Sequence, residues 1–451
     1  MSKQKIGLFS ATAIVVANMI GTGVFVSLGY QVMGIHSGFS LLLLWILGGI
    51  TALLGALCYG EIGSAFTRSG GEYNYLSELY HPAVGFLSGF VSSTVAFAAP
   101  VAAAALVLGV YAGNVIPGID PKMLGAGVVI AFSILHGIQL KAGSRVQNFF
   151  TAGKILLIIF IIIAGFASGR TGNTGFMPHQ NTWAEILSAV FASNLYFVSY
   201  AYSGWNAAAY ISAEIENPRK NLPKALLLGT LLVTILYVLL NFVFLYTAPQ
   251  EKLSTFQHLS PLLEPRPDVG FISAGYIFGA TGAKIISMII AVLLMSTVSA
   301  MIIAGPRVSM VLGEDVRMFR FLAKKNKNGV PTTAVIFQAA ISFIFIFTSS
   351  FADVVKYIGF TLALFTTFTV IGVFILRIRQ KGVIPEGAYR TWGYPVTPIL
   401  FLILNLWIVI YGFTIEIKAS LEGLGTILCG LIIYFINKKI TPKPTHESLQ
   451  K

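Results

Sequence analysis

The chain has 451 residues, of which 56% are hydrophobic and only 10% charged, and it carries a formal net charge of +13. A soluble domain needs roughly 25% charged residues overall, so this composition excludes an ordinary soluble protein and calls for a surface that faces lipid. Apolar runs of about 20 residues, the length that crosses a hydrocarbon core, recur along the chain. They are continuous rather than alternating, which selects helices over a barrel.

Taken in chain order, the pattern predicts twelve spans at 8–34, 38–66, 83–115, 123–140, 147–168, 184–212, 224–247, 281–312, 333–350, 354–377, 395–415 and 423–437. The basic start, Met1 to Lys5, leads into an apolar stretch too long for a signal core and without a cleavage pattern, so it reads as the first span. Residues 248–280 contain Pro249, Pro261, Pro265 and Pro267 and read as an outer cap of short helices, with a disordered loop as the alternative. Residues 441–451 read as a flexible cytoplasmic tail.

The +13 charge is not a nucleic-acid footprint. By this segmentation 21 of the 30 Lys and Arg residues fall on one side of the membrane and seven on the other. That bias places both termini in the cytoplasm of a multi-pass protein of the cell membrane. The lipid bilayer is therefore a partner and nucleic acid is not. Cys58 and Cys429 both lie inside predicted spans, and the six histidines show no ligand spacing. No metal site, cofactor or catalytic constellation is expected, and no Walker loop suggests ATP-driven transport. The chain reads as a single membrane domain over 1–451, and not as an enzyme.

Two segments interrupt the helical pattern inside the membrane. The first is Asn18-Met19-Ile20-Gly21-Thr22-Gly23-Val24-Phe25; the second is Tyr200-Ala201-Tyr202-Ser203-Gly204-Trp205-Asn206. Each lies in the opening span of a five-span block, and five spans being odd, the blocks have opposite orientation. Repeat one covers about 8–168 and repeat two about 184–377, with two extra helices at about 395–437. Interrupted helices at matching positions of inverted repeats point to a secondary transporter with its site near the midplane. Unwinding frees N–H and C=O groups that lipid cannot satisfy. A zwitterionic amino acid suits them, its carboxylate at a half-helix N-terminus and its ammonium at freed carbonyls. The competing readings are that Gly21 and Gly23 are close-packing points and that Trp205 is an interfacial aromatic.

Lys154 lies about 10 Å into the fifth predicted span. An intramembrane charge is costly and points to function; the alternative is snorkelling to the inner interface. Arg307 reads as a snorkelling residue, Glu61 as structural, and Glu214 and Glu216 with Arg219 and Lys220 as a charged inner helix end.

These residues resemble the amino acid–polyamine–organocation superfamily, within it the L-type and related amino acid transporters. The resemblance covers roughly residues 5–415. It rests on Tyr202-Ser203-Gly204-Trp205-Asn206, on Glu214-Ile215-Glu216-Asn217-Pro218-Arg219-Lys220-Asn221-Leu222-Pro223, on Met19 to Phe25, and on Ser69-Gly70-Gly71-Glu72-Tyr73. It implies an all-α LeuT-type fold, two inverted five-helix repeats plus two helices, working by alternating access. The substrate site implied is Met19, Ile20, Gly21, Thr22, Gly23, Tyr200, Tyr202, Ser203, Gly204 and Asn206. Thr22 and Gly23 would hold the carboxylate, and the carbonyls of Met19, Tyr200 and Ser203 the ammonium. Tyr200 would be the aromatic gate and Trp205 part of the gating set. Lys154 would stand where sodium-coupled relatives hold an ion, bridging the first span to the eighth, where Ser296, Thr297 and Ser299 are candidates.

Relatives that take cationic substrates tend to carry an acid where this chain has Ser203 or Asn206, so a neutral amino acid is expected. Tyr200, bulkier than the phenylalanine often found there, favours a small one such as alanine or serine. A permanently charged Lys154 suits a sodium-independent exchanger or facilitator; a Lys154 that releases its proton suits a proton-coupled symporter. A receptor or sensor on the same scaffold is a further alternative. The sequence assigns no partner subunit.

Overall fold

The computed structural model of the chain describes residues 5–138, 143–254, 268–380 and 387–440, without the side chains of 143–148 and 254. The tail and the middle of the expected outer cap, 255–267, lie outside the described residues. Among those described there is no strand; the only bridge pairs Ile6 with Ile215.

The first span is two helices, α1 (Leu8–Met19) and α2 (Gly23–Gln31). Then come α3 (Gly38–Ala65), α4 (Glu72–Leu79), α5 (Pro82–Val91), α6 (Ala98–Gly113), α7 (Pro121–Ile138) and α8 (Gly143–Ala167). A short α9 (Thr182–Ile186) precedes α10 (Ala189–Tyr202), which gives way to a 3₁₀ segment at Ala207–Glu214. The chain continues through α11 (Pro218–Thr247), α12 (Gln250–Ser254), α13 (Val269–Asp315), α14 (Thr332–Thr348), α15 (Phe351–Gln380), α16 (Val396–Thr414) and α17 (Ile417–Ile440).

Ten helical segments are long and apolar enough to cross a membrane, and α14 is a shorter apolar helix. Their burial sorts them into layers. The most apolar stretch of Pro82–Gly113 is 89% buried and that of Leu8–Gln31 is 72% buried, whereas that of Ile417–Ile440 is only 22% buried. The broken first span and α5–α6 thus form the centre, and α17 lies at the rim.

Local chemistry sets the helix ends. Ser37 and Ser188 cap α3 and α10 by accepting from the N–H groups of Ser40 and Phe191, as a short hydroxyl side chain does at an N-cap. Pro82 and Pro218 stand in the first turns of α5 and α11, where a missing N–H costs nothing. Two features were not expected from the sequence. The third predicted span is interrupted by a π-helical turn at Ser92–Ala96. Pro100 explains it, because its ring cannot donate to the Ala96 carbonyl and pushes that turn open. Gly279, with φ of 75°, separates the first turns of α13 from its long continuation.

Candidate functional site

Both predicted interruptions exist as breaks in the backbone. At the first, α1 stops at Met19 and α2 starts at Gly23, leaving Ile20, Gly21 and Thr22 outside either helix. The carbonyls this frees need donors. The Tyr237 hydroxyl of α11 donates to the Met19 carbonyl at 2.6 Å. The Lys154 Nζ of α8 donates to the Ile20 carbonyl at 2.9 Å and to the Thr297 hydroxyl of α13 at 2.8 Å. Lys154 is 1% exposed. It does not snorkel; it ties the break to two other helices.

At the second break, α10 ends at Tyr202 and Ser203 turns extended, with ψ of 150°. Gly204 follows at φ 94°, which favours glycine. A β-carbon there would also lie 2.8 Å from the Asn18 carbonyl. The Tyr200 carbonyl accepts from the N–H and the hydroxyl of Ser203. Asn206 donates its amide to Glu72 at 3.0 Å. The same Glu72 oxygen accepts from the Tyr59 hydroxyl at 2.6 Å. Trp205 packs edge-on against the Tyr59 ring, centroids 4.7 Å apart.

The two broken helices meet where Gly23 crosses Ala201. A β-carbon on Gly23 would fall 2.4 Å from the Ala201 Cα, so only glycine allows the crossing. Here the close-packing role of glycine and its place at a break coincide. Across this contact Thr22 and Tyr200 share a hydrogen bond of 2.8 Å between hydroxyls. Tyr200 in turn lies edge-on to Phe351 of α15, which stacks on Tyr30, itself stacked on Phe197. These rings close one side of the crossing.

The other side opens into a cavity of about 1410 Å³. Tyr200, Tyr202, Ser203, Gly204, Trp205 and Asn206 line it, together with Asn18, Phe97 and Asn405. Its charged lining residues are Lys5 ahead of α1, Glu214 at the end of the 3₁₀ segment, Arg307 within α13 and Lys325 beyond it. Met19, Ile20, Gly21, Thr22 and Gly23 do not line it. The structure therefore brings the predicted residues of the second break to the cavity and leaves those of the first behind Tyr200.

Of the three α13 candidates, Thr297 reaches Lys154. Ser296 donates to its own helix at the Leu293 carbonyl, and Ser299 pairs with His136 of α7 at 2.7 Å. Glu61, read as structural, is clasped by Arg377 through two bonds of 2.8 Å and by the Thr391 N–H. Arg307 is exposed and lines the cavity.

Sequence reasoning missed Tyr237 and Glu72. Tyr237 carries no signal, being one aromatic in an apolar helix. Glu72 was visible as the acid of Ser69-Gly70-Gly71-Glu72-Tyr73, but a loop acid is ordinary until the fold buries it to 2% exposure.

The amino acid permease family profile matches residues 6–436. This chain belongs to the amino acid permease family, in the amino acid–polyamine–organocation superfamily. It is 30% identical to the serine/threonine exchanger SteT of Bacillus subtilis (strain 168), over 97% of each chain. It is 29% identical to the b(0,+)-type amino acid transporter 1 of Mus musculus, over 96% of this chain and 88% of that one. It is 28% identical to the large neutral amino acids transporter small subunit 2 of Mus musculus, over 98% of this chain and 82% of that one. The chain is accordingly a multi-pass membrane protein that transports amino acids, and not an enzyme.

Proposed function

We propose that the chain is a sodium-independent exchanger of small neutral L-amino acids, working by alternating access on twelve spans arranged as two inverted five-helix repeats plus two helices. Lys154 is the observation that carries this reading. Its ammonium lies within 3 Å of the Ile20 carbonyl and the Thr297 hydroxyl, so a protein cation already serves oxygens that could otherwise hold a sodium ion. Two like charges at such spacing repel strongly in a dry interior.

Substrate recognition follows from the breaks. The first N–H groups of α2 have no intrahelical partner and form a seat for a carboxylate, beside Thr22 and Gly23. The carbonyls around Tyr200 and Ser203 face the ammonium. The side chains of the second break that line the cavity are uncharged, which favours a neutral substrate because an unpaired cation there would be costly. Tyr200 limits its size. The chain's similarity to a serine/threonine exchanger and to a large neutral amino acids transporter supports a neutral substrate.

With both termini cytoplasmic, the cavity opens inward, and Tyr200, Phe351, Tyr30 and Phe197 close the outer side. This is an inward-open form in the plasma membrane.

The test is counterflow in proteoliposomes with labelled L-serine and L-alanine, sodium replaced by choline. Uptake should require an internal amino acid and persist without sodium. Uptake that depends on sodium, or that a proton gradient alone drives into empty vesicles, would overturn the reading.

A further inference from the structure

Glu72 is buried at the start of α4, yet among the described residues no cation faces it. Tyr59 approaches from α3, Tyr75 from α4 itself, and Tyr210 with Asn206 from the segment after the second break. Arg377 and Arg379 of α15 are turned elsewhere, to Glu61 and to the Glu78 carbonyl, and α5 carries no charge. A buried carboxylate without a cation is costly, and a glutamine would fill the same space more cheaply. The charge therefore calls for a use.

Its surroundings indicate one. The loop before α4 and the first residue of α4 grip the second break and the segment after it at three points. Ser69 accepts from the Ala213 N–H at 3.1 Å, the Gly70 N–H donates to the Tyr210 carbonyl at 3.1 Å, and Glu72 takes the Asn206 amide. The first two are ordinary hydrogen bonds near the exposed end. The third reaches the unwound turn itself, through the one side chain that lines the cavity and touches the carboxylate.

We propose that Glu72 is a positioning residue for transport: its carboxylate holds Asn206, and through it the unwound turn of the second break, in the arrangement that binds substrate. The inference rests on reading the breaks as the substrate site. A charged acceptor makes hydrogen bonds roughly twice as strong as a neutral one, so removing the charge loosens the turn without removing a cavity wall. Burial pushes the Glu72 carboxyl up to about 7, against the pull of its bonds from Tyr59 and Asn206. Acidification through that value protonates Glu72 and weakens both bonds, so proton binding and the Glu72→Gln change act alike.

The test is exchange of labelled L-serine by the full chain in proteoliposomes, read as KM and maximal rate on either side of pH 7. Glu72→Gln should raise KM roughly tenfold, the value of losing one charged hydrogen bond, with a smaller effect on maximal rate. Wild-type KM should rise towards the Glu72→Gln value as pH falls, whereas that of Glu72→Gln stays flat. Asn206→Ala should raise KM similarly, and Glu72→Gln added to it should change little more. Tyr59→Phe, which keeps the ring and removes one donor, should move the pH midpoint upward; this variant carries the test if Glu72→Gln does not fold. Wild-type KM and pH profile in Glu72→Gln, full additivity with Asn206→Ala, or an unmoved midpoint in Tyr59→Phe would overturn the role. Wild-type KM in Asn206→Ala would overturn this role and the site reading together, whereas an impaired Asn206→Ala beside a normal Glu72→Gln removes this role alone.

Discussion

The two helix breaks solve the same problem in different ways. Both free backbone groups inside the helix bundle. The first break is held from outside the helix, by Tyr237 on the Met19 carbonyl and Lys154 on the Ile20 carbonyl, and lies behind Tyr200. The second is held largely by its own turn, through Ser203 folding back on Tyr200 and Gly204 at positive φ, and it lines the cavity. Outside its own turn it is held by Glu72 through Asn206, by the Trp45 carbonyl through Tyr202 and by Thr22 through Tyr200. A break tied to three separate helices moves only when they move; one tied mainly to itself adjusts locally. On the proposed reading, the first links substrate to the whole bundle and the second fits the substrate.

Mutation can break or sharpen this contrast. The largest effect is expected where the two breaks touch. Gly23→Val forces a side chain into the Ala201 backbone, 2.4 Å from where its β-carbon must sit. Such backbone overlap costs more than the ~1–3 kcal/mol of ordinary overpacking, so folded yield in detergent should collapse. Next, Lys154→Ala leaves a buried carbonyl and hydroxyl without their donor, at about 1–3 kcal/mol each. Exchange should fall well over tenfold while the purified variant still binds substrate weakly; wild-type exchange would remove Lys154 from the linkage. Tyr237→Phe deletes one hydrogen bond to the first break, worth about 1 kcal/mol plus the orphaned carbonyl. A fall in exchange of roughly tenfold is expected, milder than for Lys154→Ala because one helix rather than two is released. The smallest effect belongs to Ser296→Ala. Its hydroxyl serves only its own helix, so transport should stay within about twofold of wild type, as for a substitution away from any shared network. A large loss there would mean that α13 acts through more than Thr297.

The sequence made legible whatever depends on contrast with its neighbours. Lys154 stands out because it is a charge in an apolar run, and Gly21, Gly23 and Gly204 stand out because weak helix formers sit where a helix should continue. Tyr237 and Glu72 do not contrast with their surroundings. A tyrosine among the leucines of α11 and an acid in a polar loop become informative only when the fold places a freed carbonyl or an amide against them. The π turn before Pro100 falls between these cases: the proline was visible, but its effect on the turn before it depends on packing that holds the helix together. Ser296 and Ser299 show the same limit, since their rotation around α13 separates them from Thr297 although they lie beside it in sequence.

The bridge between Ile6 and Ile215 gains meaning from its position. Ile6 accepts from Glu216 and donates to Glu214, at 2.9 and 2.8 Å, just before α1 and just after the 3₁₀ segment. It therefore yokes α1 and the 3₁₀ segment, one half of each broken span, by their free ends. Two halves so joined share one lever arm: neither swings without drawing the other. A transporter in which they swung separately could pass through a form ajar on both sides, leaking the gradient it works against. A short backbone clasp beside the cavity would thus protect the membrane by removing a degree of freedom.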